Sequence, residues 1–290
     1  MSNVLSLFKD DELYVPLAQN NRAEILVGDA KRVLLGFPDR TFRCAVTSPP
    51  YWGLRDYGVD GQIGAETDVR NYISDLVAVF REVRRTLRDD GTLWLNIGDS
   101  YTSGGRTWRD ADDKNKGRAM SYRAPTPDGL KPKDLIGVPW RLAFALQDDG
   151  WYLRTDIVWN KPNCQPESVK DRPTRSHEYV FLFSKSEKYY YDWAAVTEPA
   201  LDAKQKSKNR RSVWNINTEP YAGSHFAVYP RQLVRLCVSA GSEPDDRVLD
   251  PFFGSGTTGV VCNELDRQCT GIELNEAYAT LARERLLKGR

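Results

Sequence analysis

Two separated stretches of the chain carry residue types that could bind and activate a ligand. The first is Thr47-Ser48-Pro49-Pro50-Tyr51, which follows a short apolar run typical of the end of a buried strand. Because consecutive prolines fix φ and remove backbone donors, neither a helix nor a strand ladder can continue through them. The carbonyl groups of Ser48 and Pro49 can therefore accept hydrogen bonds from a ligand beside the ring of Tyr51. This arrangement suits a flat substrate that carries an amine; a plain strand end with a core tyrosine is the alternative.

The second stretch is Asp250-Pro251-Phe252-Phe253-Gly254-Ser255-Gly256-Thr257, with the pattern of a strand, a tight turn and the start of a helix. Its glycines allow the backbone to approach a ligand closely, and a helix N-terminus favours an electron-rich group. Glu273 ends the next predicted strand, at the spacing where an acid accepts the hydroxyls of a ribose in dinucleotide-binding folds. The sequence therefore predicts a cofactor that carries a ribose.

The glycine spacing leaves the identity of that cofactor open. Gly254, Gly256 and Gly259 match the G-x-G-x-x-G pattern of nicotinamide and flavin sites, so spacing alone does not exclude such cofactors. The Ser48 stretch argues against them, because hydride transfer would not require it. A further acid, Asp29, follows a predicted strand, where it could accept bonds from a ligand or cap a helix.

Together the two stretches resemble the paired motifs of the amino-group DNA methyltransferases. The 250–257 stretch is similar to the S-adenosylmethionine motif of that family, and the 47–51 stretch is similar to its catalytic motif. The catalytic motif comes first in the chain, which resembles the permuted β class. His225 begins a segment, 225–230, that resembles the motif before the cofactor loop in that class, which helps to hold the methionine part. Asp29 fits the N-terminal Gly-Asp of the class, and the resemblance covers nearly the whole chain.

The resemblance implies an α/β fold, with a Rossmann-like mixed sheet of seven strands, helices on both faces and a circularly permuted motif order. It implies one S-adenosylmethionine-dependent domain over residues 1–290, with S-adenosylhomocysteine as product and no metal. The implied catalytic residues are Ser48, Pro49, Pro50 and Tyr51. The implied cofactor-binding residues are Asp29, Thr47, His225, Asp250, Pro251, Phe252, Gly254, Ser255, Gly256, Thr257 and Glu273.

The implied substrate is double-stranded DNA, from which the target base must be flipped out before its amine can react. Tyr51 would stack on the base, and Trp52 could do so too. The amine is a poor nucleophile because its lone pair is conjugated into the ring; hydrogen bonds to Pro49 and Ser48 would localise that pair on nitrogen. Ser48 in the first motif position resembles N4-cytosine enzymes. The resemblance therefore implies N4 of cytosine as the target. A hydroxyl can donate to a ring nitrogen of cytosine or of adenine, so N6 of adenine is the alternative.

Other functional classes stay open. A catalytically silent DNA-binding protein of this fold is less favoured, because both motifs are intact. Methylation of RNA or of a protein amide is a third option, but the Asn-Pro-Pro-Tyr expected for glutamine-type substrates is absent. None of the cysteines directly follows a proline, which argues against methylation at C5 of cytosine.

Composition narrows the setting in which the chain works. A net charge of +1 gives no global polyelectrolyte signal, so a DNA surface must come from local clusters. Five cysteines without a C-x-x-C pair and only two histidines argue against a zinc site and for a reducing compartment. We find neither a signal-peptide pattern nor an apolar run of membrane length. A cytoplasmic protein, prokaryotic or phage-encoded on the resemblance, is therefore expected.

Two polar segments are candidates for contact with DNA. Residues 204–211 carry five positive charges and no acid, and such a cluster gives sequence-independent affinity for phosphates. Residues 100–135 form a long polar insertion; a solvated loop is the alternative for both segments. On the resemblance, residues 186–222 are the expected target-recognition segment. The predicted DNA contacts are Trp52, Arg106, Arg109, Lys204, Lys206, Lys208, Arg210 and Arg211.

A separate cognate restriction endonuclease could accompany the chain, which would be a monomer or a homodimer without membrane contact.

Apolar periodicity predicts the elements that must position these residues. Helical stripes cover residues 71–87, ended by Asp89-Asp90-Gly91, and residues 134–147. Buried strands are predicted at 92–97, 151–159 and 179–183, with a strand edge at 189–192. Four glycines from Gly53 to Gly64 indicate a mobile loop that could act as a lid or clamp.

Overall fold

The large sheet in this computed structural model has nine strands within the described residues, which are 14–15, 22–54, 57–102, 124–200, 207–219 and 229–288. In chain order the strands are β1 (Tyr14–Val15), β2 (Ala23–Val27), β3 (Phe42–Thr47), β4 (Leu87–Ile97), β5 (Tyr152–Asn160), β6 (His177–Ser184), β7 (Glu198–Pro199), β8 (Ser207–Lys208), β9 (Val213–Asn215), β10 (Arg247–Asp250) and β11 (Gln268–Glu273). The helices are α1 (Ala30–Leu35), α2 (Val69–Thr86), α3 (Val138–Asp148), α4 (Arg231–Gly241), α5 (Thr257–Glu264) and α6 (Glu276–Lys288), with a 3₁₀ turn at Ala194–Val196. Strands β7 and β8 pair separately.

The order of strands across the large sheet is β1-β2-β11-β10-β3-β4-β6-β5-β9. Strands β2, β11, β10, β3 and β4 are parallel, whereas β6 is antiparallel to both of its neighbours. Helices α1, α2 and α3 pack on one face, and α4, α5 and α6 pack on the other. The predicted α/β class with a mixed, helix-flanked sheet is confirmed. The seven strands from β2 to β5 form its body, and the short β1 and β9 extend its edges.

Helix α2 keeps its predicted apolar stripe but ends one residue before the predicted end at Leu87. Tyr72, Leu76 and Phe80 on this stripe are fully buried, which accounts for the helix existing here. Strand β4 begins at Leu87, so the predicted helix end at Asp89-Asp90-Gly91 lies inside a strand instead. The buried guanidinium of Arg43 on β3 pairs with Asp90, so this acid serves the β3–β4 contact.

Helix α3 begins at Val138 rather than at the predicted residue 134. Gly137 precedes it with a φ of 78°, and the Asp99 carboxylate accepts from the backbone N–H of Gly137 and Val138, both at 3.0 Å. These bonds anchor the helix start on the loop after β4. Residues 134–136 instead pair with residues 100–102, which a helical stripe could not predict.

The predicted strand edge at 189–192 is wrong, because these residues form no strand. They are held by tertiary contacts. The ring of Tyr191 stacks on Trp94 with centroids 6.3 Å apart, and the Tyr190 backbone N–H donates to the Asp90 carbonyl at 2.9 Å. Within the described ranges, no helix is both long and apolar enough to cross a membrane.

The strand order reverses between β10 and β3, and this reversal decides where a ligand can bind. Strand β10 continues through α5 to β11 on one side, whereas β3 continues through α2 to β4 on the other side and on the opposite face. The two loops therefore diverge and leave a crevice at the carboxyl ends of the strands. Pairing of Leu249 with Ala45 brings the ends of β10 and β3 to this same edge.

Gly271 on β11 is required by the packing of this edge. A Cβ atom on Gly271 would lie less than 3.0 Å from the ring carbons of Phe253, which is itself buried at 3% exposure. We expect Gly271→Ala to lower the free energy of unfolding by roughly 1–3 kcal/mol, as overpacking does. Urea unfolding followed by circular dichroism measures this loss.

The matched control is Gly271→Ala made in a Phe253→Ala background. Because the ring is gone, the added methyl group should there be nearly neutral. An equal loss in both backgrounds would contradict the assignment of the strain to the Phe253 ring.

Candidate active site

A cavity of about 950 Å³ opens at the crevice, and both predicted motifs line it. One side is formed by Ser48, Pro49 and Tyr51, and the other by Gly254 and Glu273. The predicted site residues Asp29, Pro50, Pro251, Phe252, Ser255 and Thr257 line it as well. The structure thus brings together two stretches that lie about two hundred residues apart in the sequence.

The carboxylate of Asp250 ties the two motifs together behind the cavity. Asp250 is fully buried and accepts hydrogen bonds from Thr47 Oγ1 at 2.6 Å, Thr258 Oγ1 at 2.6 Å and the Tyr229 hydroxyl at 2.8 Å. Burial raises the pKa of the Asp250 carboxyl, and these hydroxyl donors act in the opposite direction. Thr47 and Asp250, both predicted cofactor residues, lie outside the cavity lining and hold its walls in place.

The acid predicted to bind a ribose faces the cavity beside the glycine turn. Glu273 Oε2 accepts from the backbone N–H of Gly254 at 2.7 Å, and Oε1 accepts from that of Asn275 at 2.9 Å. Each oxygen keeps lone pairs for a ligand hydroxyl. Gly254 has a φ of +52°, and a Cβ atom there would meet nothing within 4 Å. These acceptors and the open turn fit a ribose-bearing cofactor. Burial raises the pKa of the Glu273 carboxyl.

Asp29 combines the two roles that its sequence position left open. Its side chain caps α1 by accepting from the Arg32 backbone N–H at 2.9 Å, and it also lines the cavity. The neighbouring loop at residues 57–63, part of the predicted lid, lines the same side of the cavity. Asn275 Nδ2 donates to the Tyr57 carbonyl at 3.3 Å, which fastens this loop to the start of α6.

Arg285 supports the glycine turn and was missed by the sequence analysis. Its Nη1 donates to Ser255 Oγ at 3.0 Å and to Thr257 Oγ1 at 2.8 Å. The helix that carries it packs closely, since a Cβ atom on Gly256 would lie 3.0 Å from Ala282 Cβ. No local motif identifies Arg285, because its role depends on how α6 folds back onto the turn.

Tyr51 lines the other half of the cavity. Its hydroxyl donates to Glu178 Oε2 at 2.7 Å, and its ring lies so close to Gly98 that a Cβ atom there would be 2.7 Å from it. Burial and the negative charge of Glu178 raise the pKa of Tyr51 well above its usual value. Glu178 and Gly98 were not singled out from the sequence.

The backbone of the Pro-Pro turn is arranged as its sequence suggests. The Pro50 carbonyl accepts from the Tyr72 hydroxyl at 2.8 Å, which anchors the turn on α2. Among the described residues, none donates to the carbonyl oxygen of Pro49, which lines the cavity. An acceptor is therefore available to a ligand, as the prolines predict.

The residues predicted to contact DNA are found in several settings. Trp52 is 5% exposed in the core and its indole N–H donates to the Glu66 carbonyl, so its ring would have to leave the core to stack on a base. Arg210 donates to the Val196 and Thr197 carbonyls, while Lys208 and Arg211 pair with Glu198. Arg106, Arg109, Lys204, Lys206 and the cofactor residue His225 lie outside the described residues. These contacts stay predictions.

The five cysteines give a chemical test of the cavity. Cys44, Cys237, Cys262 and Cys269 are buried, whereas Cys164 is half-buried and lines the cavity. Burial raises the pKa of the Cys44, Cys237 and Cys269 thiols, which keeps them protonated and unreactive.

We expect a thiol reagent such as DTNB to modify one cysteine in the folded chain and all five after unfolding.

Cys164→Ser is the control for this titration and should abolish the fast reaction. Reaction of a second thiol in the Cys164→Ser variant, at a rate similar to that of Cys164, would contradict the burial of the other four cysteines.

Known proteins resemble this chain over the region that contains both motifs. Residues 42–284 match the sequence pattern of the N6/N4 DNA methylase family. The chain is 73% identical over 290 residues to the type II methyltransferase M.SmaI of Serratia marcescens, covering all of this chain and 99% of that one. It is 62% identical over 266 residues to the type II methyltransferase M.Cfr9I of Citrobacter freundii, covering 92% of this chain and 88% of that one.

Solved structures share the fold. A candidate DNA modification methylase of Thermus thermophilus, in complex with S-adenosylmethionine, is 26% identical with a TM-score of 0.61, covering 91% of this chain and 95% of the other. The cytosine-N4-specific PvuII DNA methyltransferase has a TM-score of 0.67 at 21% identity, covering 93% and 94%. The ribose acceptors and open glycine turn agree with a shared cofactor. The chain therefore belongs to the N6/N4 DNA methylase family and is an S-adenosylmethionine-dependent type II DNA methyltransferase.

Proposed function

We propose that the chain methylates the exocyclic N4 amine of a cytosine that is flipped out of duplex DNA. The observation that carries this proposal is the shared cavity, with amine acceptors from the Ser48-Pro49 turn on one side and the cofactor residues on the other. Ser48 at the first position of the catalytic motif, where a hydroxyl replaces an acid or amide, favours cytosine over adenine. N6 of adenine is the alternative target within the same family.

S-adenosylmethionine, when bound, supplies a methyl group on a positively charged sulfur. Glu273 would hold the ribose hydroxyls with its two oxygens, and the open turn at Gly254 would allow close backbone approach, whereas Gly256 lies outside the cavity lining and packs against Ala282. Asp29 and Phe252, which line the same half of the cavity, would complete the cofactor site with His225. Among the described residues, no group of His, Cys, Asp or Glu could hold a metal ion, and the proposed reaction uses none.

The opposite half would bind and activate the base. The Pro49 carbonyl and the Ser48 hydroxyl accept hydrogen bonds from the amine, which withdraws its lone pair from the ring system and directs it at the methyl group. The ring of Tyr51 supports the face of the base. Because these acceptors are held in place before the substrate arrives, little reorganisation accompanies the reaction.

The proposed partners of the chain are duplex DNA and a restriction endonuclease. Double-stranded DNA would be contacted by residues 100–135 and by the basic residues of 204–211, and residues 186–222 would read the target sequence. The names of the relatives, as type II methyltransferases, support a separate cognate restriction endonuclease. A cytoplasmic monomer or homodimer is part of the same proposal.

Ser48→Ala tests the activation of the amine. Because it removes one of two acceptors, we expect kcat to fall about 10²-fold. Affinity for S-adenosylmethionine, measured by calorimetry, should stay within about twofold, because Ser48 lies on the other side of the cavity.

The identity of the product decides the target. Mass spectrometry of nucleosides from DNA treated with the wild-type protein should find N4-methylcytosine. N6-methyladenine as sole product would overturn the cytosine assignment, and a chain that binds S-adenosylmethionine and DNA without transfer would favour the catalytically silent alternative.

Glu273 predicts a pH dependence of cofactor affinity. Its folded-state pKa is raised, so as the pH falls through that value the carboxylate gains a proton and loses an acceptor for the ribose hydroxyls. We therefore expect the Kd for S-adenosylmethionine to rise on acidification, starting at a pH above that of an ordinary glutamate. Calorimetric titration between about pH 8 and pH 5 measures it.

Glu273→Gln is the matched variant for this titration. It should weaken binding about tenfold or more and remove most of the pH dependence in this range, because no carboxylate remains to titrate there. A variant that keeps the wild-type pH dependence would assign it to another group.

A further inference from the structure

Arg285 on α6 donates to two hydroxyl groups of the turn before α5. Its Nη1 donates to Ser255 Oγ at 3.0 Å and to Thr257 Oγ1 at 2.8 Å, and also to the Ser255 carbonyl at 3.2 Å. Helix α6 packs closely beside it, since a Cβ atom on Gly259 would lie 3.1 Å from Leu286 Cδ2. Arg285 is absent from the cavity lining, whereas Ser255 and Thr257 are part of it. One cationic side chain therefore binds both hydroxyls from outside the cavity.

Counting donors and acceptors fixes the role of the two hydroxyls in these bonds. A guanidinium carries only donors, so Ser255 Oγ and Thr257 Oγ1 take part as acceptors, through their lone pairs. Each hydroxyl has a single hydrogen, and the bonds from Arg285 do not use it. Among the residues that the structure describes, no acceptor receives either hydrogen. The nearby carboxylates of Asp250 and Glu273 accept from other groups.

Burial makes these unused hydrogens informative. Ser255 is 7% exposed and Thr257 is 2% exposed, so water has little access to either hydroxyl. A buried polar hydrogen without an acceptor is unfavourable. Because both residues line the cavity, a ligand there can supply the acceptors. The turn therefore offers a ligand two O–H donors that are already oriented by Arg285.

The surroundings of the two hydroxyls favour a ligand group with a negative charge. Thr257 is the first residue of α5, and a helix N-terminus attracts anions. The guanidinium of Arg285 adds a positive charge next to the same hydroxyls. S-adenosylmethionine has one anionic group, the carboxylate of its amino-acid part, while its sulfonium and ammonium groups are cationic. An ionised carboxylate can only accept hydrogen bonds, so it complements a pair of O–H donors.

We propose that Arg285 is a positioning residue for the cofactor, which orients the Ser255 and Thr257 hydroxyls so that both donate to the carboxylate of S-adenosylmethionine. This inference rests on the proposed function, which places the cofactor in this half of the cavity. It adds recognition of the amino-acid part to the recognition of the ribose by Glu273. The role belongs to a side chain that does not itself line the cavity.

Arg285→Met tests this assignment with a matched pair of cofactors. S-adenosylmethionine and its decarboxylated form differ only in the carboxylate, and both keep the ribose and the sulfonium. We expect Arg285→Met to raise the Kd for S-adenosylmethionine about tenfold, because the two hydroxyls lose the bonds that orient them. The Kd for the decarboxylated form should change by less than about twofold, because no carboxylate is there to receive the hydrogens. Calorimetric titration without DNA measures both values.

Arg283→Met is the matched control, because Arg283 is an exposed arginine on the same helix and the variant removes the same charge. It should leave both Kd values unchanged. Thr257→Val keeps the shape of the side chain and removes one hydroxyl, so it should weaken binding of S-adenosylmethionine alone. This variant also tests the inference if Arg285→Met does not fold.

A double-variant background separates orientation of the hydroxyls from a direct effect of the charge. With Ser255→Ala and Thr257→Val already in place, Arg285→Met should change the Kd for S-adenosylmethionine by less than about twofold, because the hydroxyls that transmit its effect are absent. A further tenfold loss in that background would show that Arg285 acts through its charge, and would overturn its role as a positioning residue.

The outcomes distinguish this inference from the proposed function. Glu273→Gln should weaken both cofactors alike, because both carry the ribose; if it weakens neither, the proposed placement of the cofactor fails. Where Glu273→Gln does weaken both, an equal loss of the two in Arg285→Met overturns the inference alone. So does an unchanged affinity for S-adenosylmethionine, or a loss in Thr257→Val that is the same for the two cofactors. Whether cytosine or adenine is methylated does not affect these results, because no DNA is present.

Discussion

The buried carboxylate of Asp250 is the interaction on which the site depends. It accepts from Thr47 at the end of β3, from Thr258 in the first turn of α5 and from Tyr229 before α4. Residues that lie 203, 8 and 21 positions from Asp250 in the sequence thus meet on one side chain that is fully buried. Burying a carboxylate is unfavourable unless it is hydrogen-bonded, so its donors have few alternative arrangements. The distance between the two motif loops is set here, behind the cavity rather than within it.

The sheet topology leaves an open crevice in front of this connection. Parallel neighbours bring their carboxyl ends to one edge, and the reversal of strand order between β10 and β3 sends the following helices to opposite faces. The proposed cofactor half is built from the β10 and β11 ends, and the half proposed to bind the amine is built from the β3, β4 and β6 ends. A methyl donor and an acceptor amine can therefore approach one another from different walls of one cavity.

The supporting side chains in each half are charged residues from other elements. Arg285 on α6 holds the turn that contains Ser255 and Thr257. Glu178 on β6 and Lys161 after β5 hold the hydroxyl of Tyr51. In both cases a side chain distant in sequence orients groups that would meet the ligand. Such support keeps the site in one arrangement before binding, which is where much of catalytic rate enhancement originates.

The sequence alone determined the two motif loops and the helical stripe of α2, because consecutive prolines, glycine turns and apolar periodicity act through local backbone geometry. The α/β class followed from the family resemblance that the two motif loops carry. The sequence also indicated Glu273, because this acid ends the strand after the glycine turn, at the spacing expected for a ribose-binding residue. Only the tertiary structure decided the late start of α3 on Asp99, the placement of Asp89 and Asp90 in β4, and the burial of Trp52. It also decided which distant side chains, Glu178 and Arg285 among them, reach the site. Those contacts join residues far apart in the chain, and a hydrogen bond across such a separation leaves no periodic or local signal in the sequence.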